Sequence, residues 1–262
     1  MSVSLQGKTI LITGASSGIG AATAKACVDQ GMLCVVTARR EDRLKKLADE
    51  LGELCVPIAG DVTVGGFNEQ LLAEAGDVYA VFANAGHGLD QQMIDCNADQ
   101  FQGFRELFEL NVFAAVELAS LASRIMVDRG RGHILLCASC LSKFATPQHG
   151  AYCASKSALE AVAKSMRMEL KSSGVHVSTV HPIGTTTEFF VVSKSRSKMV
   201  KSDFTDQTPA WLMQSPKRVA NAVVRCLRNP KPEVWTSLPM RIASTWFAAF
   251  PRVAQCFVSR FA

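Results

Sequence analysis

The sequence has no uninterrupted apolar run of about 18 residues, the length an ordinary bilayer-spanning helix needs, so no such helix is expected. It has no block of like charge either. Its 28 Lys and Arg face 23 Asp and Glu, and the net charge of +5 is spread along the chain. A nucleic-acid partner calls for a clustered basic stripe, and none is expected here. Met1 to Lys8 lacks the apolar core of a secretory leader. The nine cysteines are odd in number, and without a leader they read as free thiols in a reducing cytosol, which is the expected location. Cys137 and Cys140 form C-x-x-C, but Cys137 ends an apolar run and no second pair stands at a zinc-like spacing, so no metal site is expected. Internal repeats, low-complexity tracts and splitting linkers are also missing.

What is present suits one large core. The chain has 262 residues, 48% hydrophobic and 19% charged, within the range of ordered globular chains. Short apolar runs at 8–12, 33–37, 54–59, 78–83, 133–138, 175–180 and 233–236 alternate with helical patterns. Those patterns cover 41–51, 67–75, 101–128, 151–172 and 217–228, with an Ala-rich segment to Gln30 closed by Gly31. Continuous rather than alternating apolar strands imply strands covered on both faces. The expected fold is α/β, a Rossmann-type doubly wound parallel sheet of about seven strands with helices on both faces. Residues 1–238 would form this domain and 239–262 a C-terminal helical extension. The irregular insertion 185–215 reads as a substrate lid.

Gly14, Gly18 and Gly20 follow the first strand in the spacing G-x-x-x-G-x-G, with Ser16, Ser17 and Ile19 in the same loop. Such a turn lets backbone N–H groups and a helix N-terminus approach a pyrophosphate. The second strand ends at Arg39-Arg40, where an acidic residue would bind a ribose 2′-hydroxyl. Guanidinium groups pair with phosphate instead, which favours NADP(H). Asp61-Val62 after the third strand is placed for adenine, and Asn84-Ala85-Gly86 follows the fourth.

Tyr152 and Lys156 stand as Y-x-x-x-K, neighbours on one helix face. A phenol near pKa 10 is a poor catalyst at neutral pH. A nearby ammonium and an oxidised nicotinamide are expected to lower it. Ser139, at the end of the fifth strand, is placed to polarise a carbonyl beside the phenol. Asn111, a polar residue inside a helical pattern, suits a proton relay.

These residues together make the chain resemble the short-chain dehydrogenase/reductase superfamily, in its shorter branch. The resemblance spans about residues 5–236 and rests on T-G-x-x-x-G-I-G from Thr13, N-A-G from Asn84, Asn111, Ser139, Tyr152 and Lys156. It implies an Asn-Ser-Tyr-Lys tetrad with Tyr152 as acid/base, Lys156 also on the nicotinamide ribose, and Asn111 ordering a water. It places Pro182, Ile183, Thr185 and Thr187 near the nicotinamide, and it implies a homodimer or homotetramer. Ile183 stands where the family usually has Gly, and Ser139-Cys140-Leu141-Ser142 replaces S-x-A-G.

Phe144 and His149 lie where the family places substrate-facing residues, and Phe189 and Phe190 open the apolar lid. A lipophilic carbonyl or alcohol is expected. Lys194, Arg196, Lys198 and Lys201 read as a solvated basic run. The stretch 240–262 carries aromatic residues among Arg241, Arg252 and Arg260, split by Pro251. It suits a pocket cover, a subunit contact or a peripheral membrane contact. The leading expectation is an NADP(H)-dependent oxidoreductase, and the alternative a non-catalytic NADP(H)-binding sensor or scaffold.

Overall fold

The computed structural model describes residues 2–189, 193 and 213–258. Seven strands form one sheet in the order β3-β2-β1-β4-β5-β6-β7. They are β1 (Thr9–Thr13), β2 (Leu33–Ala38), β3 (Cys55–Ala59), β4 (Val78–Ala83), β5 (Gly132–Cys137), β6 (Val175–His181) and β7 (Glu233–Trp235). Every neighbouring pair is parallel. Pro57 sits in β3, an edge strand, where its missing N–H is tolerated.

The helices are α1 (Gly18–Val28), α2 (Glu41–Leu51), α3 (Phe67–Ala75), α4 (Ala98–Phe108), α5 (Ala115–Asp128), α6 (Gly150–Glu169), α7 (Pro216–Arg228), α8 (Leu238–Ala249) and α9 (Pro251–Val258). Side-chain alternation along the strands feeds two cores. Ile10, Ile12, Val36 and Leu135 meet Ala24, Cys27, Leu44, Val219 and Val223 on one face. Leu11, Val81, Ile134 and Leu136 meet Leu71, Leu118, Ala122, Leu159 and Ala163 on the other. Each fully buried Leu or Ile contributes about 1.5–3 kcal/mol, so both faces are strongly held. Pro251 separates α8 from α9, as its missing N–H requires.

One helical pattern is finer than the sequence suggested. Between α4 and α5 the chain makes a π turn, Glu109–Ala114. Such a turn inserts one residue into the helical ladder and often marks a functional site. The whole stretch Ala98–Asp128 is long and apolar enough to cross a bilayer by length and composition alone. Leu118, Ala122 and Met126 spend that apolar character on the sheet.

β1 lies between β2 and β4, so successive connections leave it in opposite directions. A crevice opens at the strands' carboxyl ends there, the usual ligand position in such sheets.

Candidate active site

The glycine loop forms one wall of the crevice. Gly14 has φ +67°, and a Cβ there would lie 2.8 Å from Ala85 Cα. A Cβ on Gly20 would lie 2.4 Å from the Gly14 carbonyl oxygen. The loop is therefore as tight as backbone allows, and a side chain at either position would displace it. Ser17, the N-cap of α1, makes no side-chain cap. Its hydroxyl instead accepts from Arg40 Nη2 at 2.9 Å. The first-turn N–H groups keep no side-chain cap, which suits an anion at the helix start. Ile19 packs against the core beneath.

Thr13 ties the next loop to this one. Its Oγ1 accepts from the N–H groups of Asn84 and Ala85, both at 3.0 Å, and Asn84 Nδ2 donates to the Thr13 carbonyl at 2.9 Å. Thr13, Ala85, Val62 and Leu110 come together at the carboxyl ends of the inner strands. Leu110 was not singled out from the sequence, since it looks like any apolar helical residue.

At the far end, Arg40 donates from Nε and Nη2 to Ser16 Oγ at 3.2 and 2.9 Å, and from Nη1 to Glu188 at 2.8 Å. Arg39 lies 3.7 Å from Asp61 and is largely exposed. Asp61 Oδ1 accepts from Thr63 Oγ1 at 2.8 Å. The arginine pair thus stands at the cleft, with Arg40 braced and Arg39 loose.

The four tetrad residues converge from three elements. Ser139 follows β5, Tyr152 and Lys156 start α6, and Asn111 sits in the π turn. Lys156 is buried and its Nζ donates to the Cys137 carbonyl at 2.7 Å. The ammonium lies 5.8 Å from the Tyr152 ring centre. Asn111, fully buried, donates from Nδ2 to the His87 carbonyl at 3.0 Å and to Ser155 Oγ at 3.2 Å, and its Oδ1 accepts from the His87 N–H at 3.0 Å. A Cβ on Gly86 would lie 2.8 Å from Asn111 Oδ1 and 3.4 Å from Lys156 Nζ. Gly86 is where the nucleotide-loop side and the proton-transfer side meet.

The electrostatics differ from the sequence expectation. Burial pushes the Tyr152 phenol up, against a lowering hydrogen bond with Ser139. Burial also pushes the Lys156 ammonium down. Cys137 and Cys140 are buried free thiols, both raised by burial, Cys140 to about 11. Among the described residues no cluster of His, Cys, Asp or Glu can hold a metal.

A polar support lies under Ser139 that sequence reasoning missed. His181 Nδ1, assigned as the protonated nitrogen, donates to the Ser139 carbonyl at 3.0 Å, and Nε2 accepts from Thr179 Oγ1 at 2.9 Å. Burial lowers the His181 pKa, in keeping with a neutral ring, and Trp235 stacks on it at 4.5 Å. Ser142 Oγ donates to Glu160 at 2.5 Å. Glu160 is buried and ion-paired with Lys143 and with Lys164, and Lys143 also reaches Glu233 at 2.7 Å. Glu160 lies four residues after Lys156, a charge on a core-facing helical row, and that was the available signal. The Cys140 N–H donates to the Pro182 carbonyl at 3.0 Å, joining this turn to the segment after β6.

Ile183 takes an ordinary backbone conformation. Among the described residues Gln148 is the only non-glycine with positive φ. The replacement of the usual Gly therefore introduces no strain. Thr185 pairs with Gln214 in a parallel bridge, which joins the two ends of the insertion 185–215. Thr187 lies on the glycine loop, since a Cβ on Gly18 would come 3.0 Å from Thr187 Cγ2. Phe189 meets the Tyr152 ring edge-on, centres 5.5 Å apart. Its ring also lies against Gly88, as does Ser193, which donates to the buried Asp90 at 2.9 Å. His149 Nε2 lies 3.4 Å from the same carboxylate. Phe144 meets Phe247 of α8 at 5.1 Å. Of the three residues expected to face substrate that are described, Phe189 lies against Tyr152, while His149 faces Asp90 and Phe144 faces α8. Phe190 and the basic run of Lys194, Arg196, Lys198 and Lys201 lie outside the described residues.

The family model for short chain dehydrogenase matches residues 8–198. A Drosophila melanogaster dehydrogenase/reductase SDR family protein 7-like is 32% identical over 246 residues, which cover 89% of this chain and 73% of the relative. A short chain dehydrogenase from Burkholderia cenocepacia in complex with NADP superposes with a TM-score of 0.82 at 21% identity, covering 98% of this chain and 99% of that one. One from Burkholderia phymatum in complex with NAD gives 0.81 at 22% identity, covering 93% of each chain. The two structures speak to the fold, and the family model and the relative to descent. The chain belongs to the short-chain dehydrogenase/reductase family of oxidoreductases.

Proposed function

We propose that the protein interconverts a carbonyl and an alcohol on a lipophilic small molecule with NADP(H), Tyr152 acting as general acid/base. The observation that carries this reading is the meeting of Tyr152, Ser139, Lys156 and Asn111 beside Gly86, at the mouth of a glycine cradle. When bound, the dinucleotide supplies or takes the hydride at the carbonyl carbon. Gly14, Ser16, Ser17, Gly18, Ile19 and Gly20 would hold its pyrophosphate, and Arg39 and Arg40 the 2′-phosphate. Asp61 and Val62 would border adenine. Asn84, Ala85 and Gly86 would let the nucleotide lie on the strand ends. Lys156 would bind the nicotinamide ribose, with Pro182, Ile183, Thr185 and Thr187 around the carboxamide. NAD and NADP both occur in structures of the same fold, so the choice of NADP(H) rests on Arg39 and Arg40.

In this reading Tyr152 Oη passes its proton to the carbonyl oxygen while the Ser139 hydroxyl holds the same oxygen. Asn111 fixes the loop at His87, and the Lys156 ammonium favours the phenolate once the proton has left. Burial raises the phenol, so Tyr152 starts with its proton in place across neutral pH. The expected result is NADPH oxidation by apolar ketones or aldehydes, level through neutral pH and falling only above about pH 10, with NADH a poorer donor. Absorbance assays over a substrate panel check this. No oxidation by any carbonyl compound would point to the sensor alternative, and a fall beginning near neutrality would remove the raised phenol.

We also propose that the segment from α8 onward rests on an anionic lipid surface of a cytosol-facing membrane. Leu238, Ile242, Trp246 and Phe250 recur every fourth residue and are 44–65% exposed. From Val234 to Ala262 there is no acidic residue, while Arg241, Arg252 and Arg260 are present. Such a stripe suits interfacial binding. Phe247, next along α8, turns inward to Phe144. Trp246→Glu should weaken co-sedimentation with phosphatidylserine-containing vesicles about tenfold. Equal sedimentation of both proteins, or none, would contradict the contact. Exposed Phe113 and Met168 on the α5 and α6 side support the expected homodimer or homotetramer.

A further inference from the structure

Glu188, in the root of the lid, has a carboxylate shared between two guanidinium groups. Oε2 accepts from Arg40 Nη1 at 2.8 Å, and Oε1 from Arg43 Nη1 at 2.5 Å. Arg40 spends its remaining inner donors on Ser16 and Ser17 of the glycine loop. One side chain therefore links the lid to the loop and to the start of α2. Residue 188 is separated from Arg40 by 148 positions and from Arg43 by 145. The two arginines hold the Glu188 carboxyl at about 2, Arg43 foremost, so it is ionised throughout the neutral range.

All three side chains are 40–43% exposed. Surface ion pairs of this kind are weak and open readily. A phosphate dianion presents more charge and more acceptor oxygens than a carboxylate, and a guanidinium prefers it. A nucleotide with a plain 2′-hydroxyl offers nothing that would displace Glu188. The carboxylate then stays in place and keeps the arginines neutralised and hydrogen-bonded.

We propose that Glu188 is a specificity-determining residue: its carboxylate competes with the dinucleotide 2′-phosphate for Arg40 and Arg43, and so moderates the preference for NADP(H) over NAD(H). This rests on Arg40 as the phosphate ligand. It adds that Arg40, with Arg43 beside it, already holds an anion the chain carries itself.

The test is a binding titration of the full chain with NADPH and with NADH at low ionic strength, where the charges are least screened. NADPH and NADH differ only at the 2′ position, so the ratio of their dissociation constants isolates it. Glu188→Gln should raise the ratio of the NADH to the NADPH constant about tenfold, and Glu188→Asp, which withdraws the charge by one methylene, should raise it less. In an Arg40→Ala, Arg43→Ala background Glu188→Gln should leave the ratio unchanged, because the contested groups are gone. An unchanged or lower ratio for Glu188→Gln in the native background would overturn the proposal. A native protein that binds NADH more tightly than NADPH would instead refute the cofactor assignment, and the direction of the Glu188→Gln shift would still decide the role of Glu188.

Discussion

Tyr152→Phe is expected to lower carbonyl reduction about 100- to 10,000-fold, the usual worth of a positioned general acid. The ring contact with Phe189, centred 5.5 Å away, survives the change, since only the hydroxyl is removed. Nucleotide binding should therefore stay within a small factor of the native value. Lys156 still reaches the Cys137 carbonyl and Asn111 still holds His87, so the cradle keeps its shape. Steady-state turnover beside a fluorescence titration with NADPH separates the two effects. Full turnover in the variant would sink Tyr152 as the acid, and a parallel loss of nucleotide binding would assign it a binding role instead.

The second large effect concerns stability. Lys143→Met should destabilise the fold by about 3 kcal/mol, because the buried Glu160 loses one of its cationic partners. Lys164 and Ser142 still reach Glu160, which keeps the loss from being larger. For a chain of this size that is roughly a 10 °C fall in midpoint by thermal melting. The pH dependence has a definite sign. Burial opposes ionisation of Glu233, but Lys143 and the Trp235 N–H outweigh it and hold it at about 2. Burial likewise opposes Glu160, and Lys143, Lys164 and Ser142 hold it low. Groups depressed on folding contribute stability that is complete above about pH 4.3 and is lost as pH falls toward their folded values. The native protein should therefore lose melting temperature as pH falls from about 4.3 toward about 2, and Lys143→Met should flatten that slope. A variant that melts like the native protein would show that Lys143 does not support Glu160.

Much of this was readable before any coordinates. The inner strands β1, β2, β4 and β5 are largely apolar runs, and burial on both faces demands that pattern, whereas β6 and β7 carry polar residues and the edge strand β3 is mostly exposed. The glycine loop announced itself by spacing, and Tyr152 and Lys156 by the four-residue step that puts them on one helical face. What stayed hidden depends on partners far apart in the chain. Glu188 is an ordinary acidic residue until Arg40 and Arg43 stand beside it. Lys143, Glu160 and Glu233 come from a loop, a helix and an edge strand, and no local pattern joins them. The π turn at Glu109–Ala114 is hidden because its residues keep a helical composition. The direction of the Tyr152 shift was also out of reach. It is set by how much water the fold removes, while the sequence shows only that an ammonium is near.

The most direct test is a crystal structure of the protein with NADPH and an alcohol or inert carbonyl analogue. The account predicts the ligand oxygen within about 2.6–3.2 Å of both Tyr152 Oη and Ser139 Oγ, with the nicotinamide between Lys156 and Thr187. A ligand oxygen held by other groups, or a nucleotide lying away from the glycine loop, would contradict it.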